Sequence, residues 1–154
     1  METRLGILLC LVMLGAPSPS SADLMPWCEH SEDGFSCVEY VRNHDGDTFT
    51  INIAGTHPLF GREITVRVKG IDAPEMDAQG HCEKSAARRA KEFTENFLKR
   101  ASRIDLQNVG RDKYFRILAD VTVDGESLAD GLLRANLAVE YDGRRRPRVD
   151  WCSK

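Results

Sequence analysis

The sequence predicts a small α+β domain with a barrel-like sheet. Five short segments carry strand alternation, one long segment switches to a helical period after the third of them, and a shorter helix follows the fifth. Ser36 to Arg42 and Thr48 to Ile53 are β-rich and joined by Asn43-His44-Asp45-Gly46, where Asp-Gly is a strong hairpin signal. Phe49, Ile51 and Ile53 alternate with Thr48, Thr50 and Asn52, which gives the second strand one apolar face. After a loop with Gly55, Pro58 and Gly61, Ile64, Val66 and Val68 alternate with Thr65, Arg67 and Lys69, placing Arg67 on the face away from the core.

A loop from Asp72 to Gly80 precedes a helix beginning near Glu83. Ala86, Ala90, Phe93 and Phe97 form its apolar stripe, while Arg88, Arg89, Lys91, Glu92, Glu95 and Lys99 face water. Arg103 to Val109 and Phe115 to Val123 read as strands around a turn containing Gly110, and Asp124-Gly125 ends the second. Ser127-Leu128-Ala129-Asp130 is a capping-box-like start for a short helix to about Ala135.

At the beginning of the chain, residues 5 to 16 are an apolar run behind Arg4 and ahead of Pro17 and the small residues Ser18 to Ala22. The run is shorter than the roughly 20 residues of a membrane-spanning helix, so a signal peptide over 1–22 is expected, with a single domain over 23–154 and no membrane span in the mature chain. Cys10 offers a lipoprotein alternative, but Leu9 stands where a small residue is wanted and the apolar run continues past it. An exported protein, periplasmic or secreted, follows from the leader. Glu2 and Arg4 cancel, so the formal charge of −3 survives its removal and a globally basic nucleic-acid binder is excluded.

Four cysteines lie beyond the leader: Cys28, Cys37, Cys82 and Cys152. An even number in an exported chain argues for two disulfides, with three pairings to choose from. The preferred one joins Cys28 to Cys37 locally and Cys82 to Cys152 across the chain. The competing arrangement, a zinc site from these thiols with His30 and His81, lacks a C-x-x-C pair. The basic run Arg144-Arg145-Arg146-Pro147-Arg148 reads first as a solvated face or mobile end, and second as nonspecific attraction for phosphate.

Three stretches carry chemistry: Asp45-Gly46-Asp47-Thr48, Arg67 through Ile71-Asp72-Ala73-Pro74-Glu75, and Asp112-Lys113-Tyr114-Phe115-Arg116. Taken singly, Asp45 and Asp47 are ordinary turn residues, and Asp72 and Glu75 are acids in a surface loop. Taken together, they supply hard oxygen ligands for one cation, a spare carboxylate and two guanidinium groups. That is the inventory for cleaving a phosphodiester, in which charge builds on phosphoryl oxygens.

In order and spacing, DGDT, R-x-x-x-I-D-A-P-E and D-K-Y-x-R resemble the staphylococcal nuclease (thermonuclease) family, with likeness from about Val38 to Tyr141. The resemblance implies a five-stranded OB-fold β-barrel with helices packed against it and Ca²⁺-dependent hydrolysis of DNA and RNA with little base specificity, leaving 3′-phosphate ends. It also implies Asp47, Asp72 and the Ala73 carbonyl as metal ligands, Glu75 as the group that activates or orients water, and Arg67 and Arg116 as phosphate-binding arginines. Tyr114 and Tyr141 are implied in substrate binding. Phe115 stands where the best-known member has glycine, so a shifted Arg116 or a narrowed pocket is expected.

A monomer is expected, with DNA and RNA as substrates. The principal alternative is a noncatalytic OB-fold nucleic-acid-binding module, which needs stacking aromatics and no spare glutamate; the chain is only 7% aromatic. A disulfide-stapled extracellular interaction domain is the third reading, and it leaves the five polar positions as coincidence.

Overall fold

The computed structural model describes residues 26–154, so the expected leader, its cleavage point and Cys10 lie outside the described residues. The fold is mixed α+β. Strands β1 (Glu39–Asn43) and β2 (Thr48–Asn52) form the expected hairpin, followed by a short helix α1 (Pro58–Gly61), β3 (Ile64–Val68) and the two-residue β4 (Ile71–Asp72). Helix α2 (His81–Lys99) comes next, then β5 (Ile104–Arg111), β6 (Ile117–Val123), β7 (Glu126–Ser127), α3 (Leu128–Arg134) and β8 (Val139–Glu140).

The expected five strands are thus a six-stranded sheet, in the order β1-β2-β3-β6-β5 with β7 on β6, plus a two-stranded ribbon of β4 and β8. The additional strands are each two residues long, too short for alternation to register. Just ahead of β1, the amides of Phe35 and Val38 donate to the carbonyls of Leu106 and Ile104 on β5, so the chain runs from one edge of the sheet to the other.

Alternation works as expected in β6, where Ile117, Ala119, Val121 and Val123 are buried in turn against Phe49, Ile51, Val66 and Leu106. The loop between β5 and β6 differs from expectation. Gly110 lies within β5, and the turn is Asp112 to Arg116, because Phe115 adopts a positive φ of 64° that no strand accommodates. Asp124 and Gly125, with φ of 51° and 87°, make the tight β6–β7 turn.

Helix α2 buries Ala87, Thr94 and Leu98 as well as the predicted Ala86 and Ala90. Phe93 and Phe97 stack at 5.7 Å on the flank facing α3. Ser127 caps α3 by accepting from the Asp130 amide at 3.1 Å. The disulfides are Cys28–Cys37 and Cys82–Cys152, the preferred pairing. All four thiols are thereby withdrawn from zinc ligation, and His30 instead bridges the Ala54 carbonyl and the Ser36 amide. Two disulfides fit a non-cytoplasmic, exported protein. No described helix is long and apolar enough to cross a membrane.

Candidate active site

The β1–β2 turn is built around a close approach. A Cβ on Gly46 would lie 2.7 Å from the Ala90 Cβ and 3.0 Å from that of Ala73, so only glycine lets the turn seat between α2 and the loop after β4. The Thr94 hydroxyl donates to the Gly46 carbonyl at 2.6 Å, and Asn43 donates to the Lys91 carbonyl at 2.8 Å, fixing the turn to the helix from both sides. Asp45 accepts from the Asp47 amide at 3.0 Å, the turn role expected of it. Burial pushes the Asp45 carboxyl up, against the pull of the Arg67 charge and hydrogen bonds from Thr48.

Asp47 then points inward. Its Oδ2 accepts from the Ala73 amide at 2.6 Å and its Oδ1 from the Thr48 hydroxyl at 3.0 Å. Its third partner is Arg67, whose Nη1 pairs with Oδ1 while Nη2 reaches Asp72 Oδ1 at 3.1 Å and the Ile71 carbonyl at 3.2 Å. One guanidinium therefore spans the two carboxylates expected to hold a metal. Arg67 does lie opposite the Val66 and Val68 face, but the face expected to be open is covered, and Arg67 is only 9% exposed. Burial lowers its pKa, offset by the charges of Asp72 and Asp45, while the Arg116 and Arg146 charges add to the lowering.

Glu75 is half-buried and follows Asp72 in the same loop. The residue that meets both was not expected at the site. Arg146, from the basic run near the end of the chain, donates Nε to Asp72 Oδ2 at 2.7 Å and Nη2 to Asp72 Oδ1 at 2.9 Å; Nη2 also pairs with Glu75 Oε1. The hydrogen bonds it donates to Asp72 and to Glu75 raise its pKa above the ordinary arginine value, against the lowering by burial. At this position the reading of a solvated or mobile end is overturned, because β8 and the Cys82–Cys152 bond hold this segment over the loop.

Strand register brings the backbone of Arg116 alongside β3. β3 and β6 run parallel with Val66 opposite Ile117 and Arg67 opposite Leu118, so Arg116 enters beside the strand carrying Arg67. Asp112 Oδ2 accepts from Arg116 Nε at 2.7 Å, and its Oδ1 accepts from the amides of Tyr114 and Arg116. Desolvation pulls the Asp112 carboxyl up, but those hydrogen bonds and the Arg116 charge together hold it below the usual range. Phe115 is 79% exposed, so its side chain lies in solvent. Tyr114 is also exposed, with the Arg116 guanidinium 5.3 Å from its ring centroid. Tyr141 stands apart: its amide bonds to the Gly70 carbonyl at 2.9 Å, and it lines a separate groove of about 550 Å³ with Lys69, Ile71, Arg145 and Pro147.

The donor set suits a hard cation. Asp47 and Asp72 converge on one positive group, Arg67, and the Asp47–Ala73 bond brings the Ala73 backbone to the same place. Among the described residues no group of three or more His, Cys, Asp or Glu side chains forms a metal cage, so a cation here would complete its shell with waters and substrate oxygens. Every buried side-chain polar atom among the described residues has a partner. Asp47, Asp72 and Glu75 are ion-paired with Arg67 and Arg146.

Residues 65–150 match the family model described as staphylococcal nuclease homologue. That span contains Arg67, Asp72, Glu75, Arg116 and Arg146, and Asp47 joins them from ahead of it through Arg67. No curated protein matches the chain.

Proposed function

The chain belongs to the staphylococcal nuclease homologue family, and from that premise we propose that it is a Ca²⁺-dependent endonuclease of OB-fold type, hydrolysing DNA and RNA without base specificity and leaving 3′-phosphate ends. The observation that carries the proposal is the convergence of Asp47, Arg67 and Asp72 in one hydrogen-bonded cluster, with Glu75 attached to its edge. The resemblance predicts the residue types, and the cluster supports reading Asp47, Arg67 and Asp72 as one site.

Asp47, Asp72 and the Ala73 carbonyl would hold Ca²⁺, which when bound supplies Lewis-acid polarisation of a phosphoryl oxygen. Glu75 holds the attacking water and takes its proton; the new oxygen–phosphorus bond forms as the bond from phosphorus to the 5′ oxygen breaks, that oxygen takes a proton from solvent water, and Glu75 returns its own to solvent. Arg67 and Arg116 approach from adjacent parallel strands and neutralise charge that develops on the non-bridging oxygens. Phosphate contacts carry no direct sequence information, which accounts for cleavage without base preference.

A noncatalytic module for single strands is the second reading, favoured by Tyr114 and Phe115, two consecutive exposed aromatics beside Arg116. Incubating the oxidised protein with single-stranded DNA, duplex DNA and RNA, in Ca²⁺ and in chelator, separates the two. Calcium-dependent cleavage with 3′-phosphate ends is expected. Binding that persists in chelator without any cleavage would establish the second reading in its place.

A further inference from the structure

The basic segment near the end of the chain is held in position at both ends. Upstream, β8 pairs with β4 so that Val139 lies opposite Asp72, and Tyr141 bonds to Gly70. Downstream, Trp151 is buried and Cys152 is joined to Cys82 at the start of α2. The intervening chain therefore crosses the loop that holds Asp72 and Glu75, and Arg146 is the residue that reaches down to them.

Its guanidinium is placed differently from that of Arg67. The Arg67 side chain is 11% exposed, whereas that of Arg146 is 49% exposed. Of the Arg146 nitrogens, Nε and Nη2 are occupied by Asp72 and Glu75, and Nη1 makes no hydrogen bond among the described residues. A planar fork with one edge on carboxylates retains donors for a second anion, and carboxylates on the first edge orient it without long side-chain searching. The charges of Arg116 and Arg146 both act on Arg67, as expected for three guanidinium groups around one site.

We propose that Arg146 is a third phosphate-contacting guanidinium of the site, donating through Nη1 to a non-bridging oxygen of the nucleic-acid strand while Asp72 and Glu75 hold it in place. The proposal rests on the nuclease reading and extends it to a residue delivered by a disulfide-anchored segment. Arg67 and Arg116 act from the sheet; Arg146 acts from the strap over the loop.

The test is equilibrium binding of a fluorescent phosphorothioate oligothymidylate, in Ca²⁺ and across a series of salt concentrations, by wild type, R146Q and R146K, with cleavage of ordinary DNA measured alongside. R146Q is expected to bind about tenfold more weakly, as for the loss of one charge-assisted hydrogen bond, and to flatten the log–log salt dependence by about 0.7, as for the loss of one phosphate contact on a single strand. R146K keeps the charge without the fork and is expected to retain the wild-type salt slope with intermediate affinity. A purely structural role would leave the slope unchanged in both variants, which would overturn the inference. R146Q binding more tightly than wild type would also overturn it, showing that Arg146 obstructs the strand. Should R146Q fail to fold, R146K decides: wild-type affinity in it removes the fork from recognition. A wild-type protein that neither cuts nor binds overturns the nuclease reading as well, whereas cleavage by wild type together with unchanged binding by R146Q overturns this inference alone.

Discussion

Thr94, in the middle of α2, donates its hydroxyl to the carbonyl of Gly46 at 2.6 Å, and both groups are buried. Gly46 immediately precedes Asp47, so the helix sets the position of a site carboxylate that it does not itself touch. Thr94→Val keeps the shape and removes the donor. Stability should fall by about 1–3 kcal/mol, the cost of an unsatisfied buried carbonyl, and Ca²⁺ affinity should fall with it; thermal melts and calcium titration check the pair. An unchanged calcium affinity in a destabilised variant would separate the helix contact from the site.

Asp47 and Glu75 should separate cleanly by substitution. Glu75→Gln keeps an acceptor for Arg146 but cannot take a proton, so turnover should drop on the order of 10² to 10⁴-fold while Ca²⁺ and oligonucleotide binding persist. Asp47→Asn should weaken Ca²⁺ binding and also leave Arg67 short of a buried counter-charge, at about 3–5 kcal/mol in stability. Equilibrium dialysis with calcium and single-turnover cleavage distinguish the two. If Glu75→Gln cuts normally, Glu75 has no role in proton transfer.

Asp112 positions Arg116, and the arrangement has a pH signature. Its folded pKa lies below the ordinary value, so its stabilisation is fully present above about pH 4 and is lost as pH falls through the folded pKa. The stability difference between wild type and Asp112→Asn should therefore be constant at higher pH and shrink under strongly acidic conditions, as read from melting temperatures. Near neutrality, freeing Arg116 should lower cleavage by up to about 10²-fold, the scale of a misplaced contact.

Phe115 adopts a left-handed backbone conformation with its ring in solvent. Phe115→Gly removes a penalty of roughly 1–2 kcal/mol and adds unfolded-chain entropy of about 0.5–1 kcal/mol. A modest rise in melting temperature is expected, with turnover close to wild type because Asp112 still holds Arg116. A large fall in turnover would show that the ring itself participates.

Motif spacing made Asp47, Arg67, Asp72, Glu75 and Arg116 legible as candidates, because each lies in a short stretch whose order carries information. Other features depend on partners distant in sequence. Alternation places Arg67 opposite Val66 and Val68, yet it cannot say what meets it on that side, and here Asp47, Ile71 and Asp72 do so. Arg146 sits in a run whose composition is the same whether solvated or engaged; only β8 pairing and the Cys82 bond decide. Thr94 interrupts the apolar pattern of α2, so its burial is invisible until the Gly46 carbonyl is found beside it. The switch from strand to turn at Phe115 eluded the pattern because an aromatic residue favours strands and its positive φ is exceptional.

The parallel pairing of β3 with β6 joins strands separated in the chain by all of α2 and β5. Loop closure on that scale is slow compared with forming a hairpin or a helix. During refolding with the disulfides intact, Arg67 and Arg116 should come together only in the last resolved phase, after the β1–β2 hairpin and α2 exist. A chain still emerging from synthesis would thus possess its acidic turn and its helix well before it could grip a phosphate.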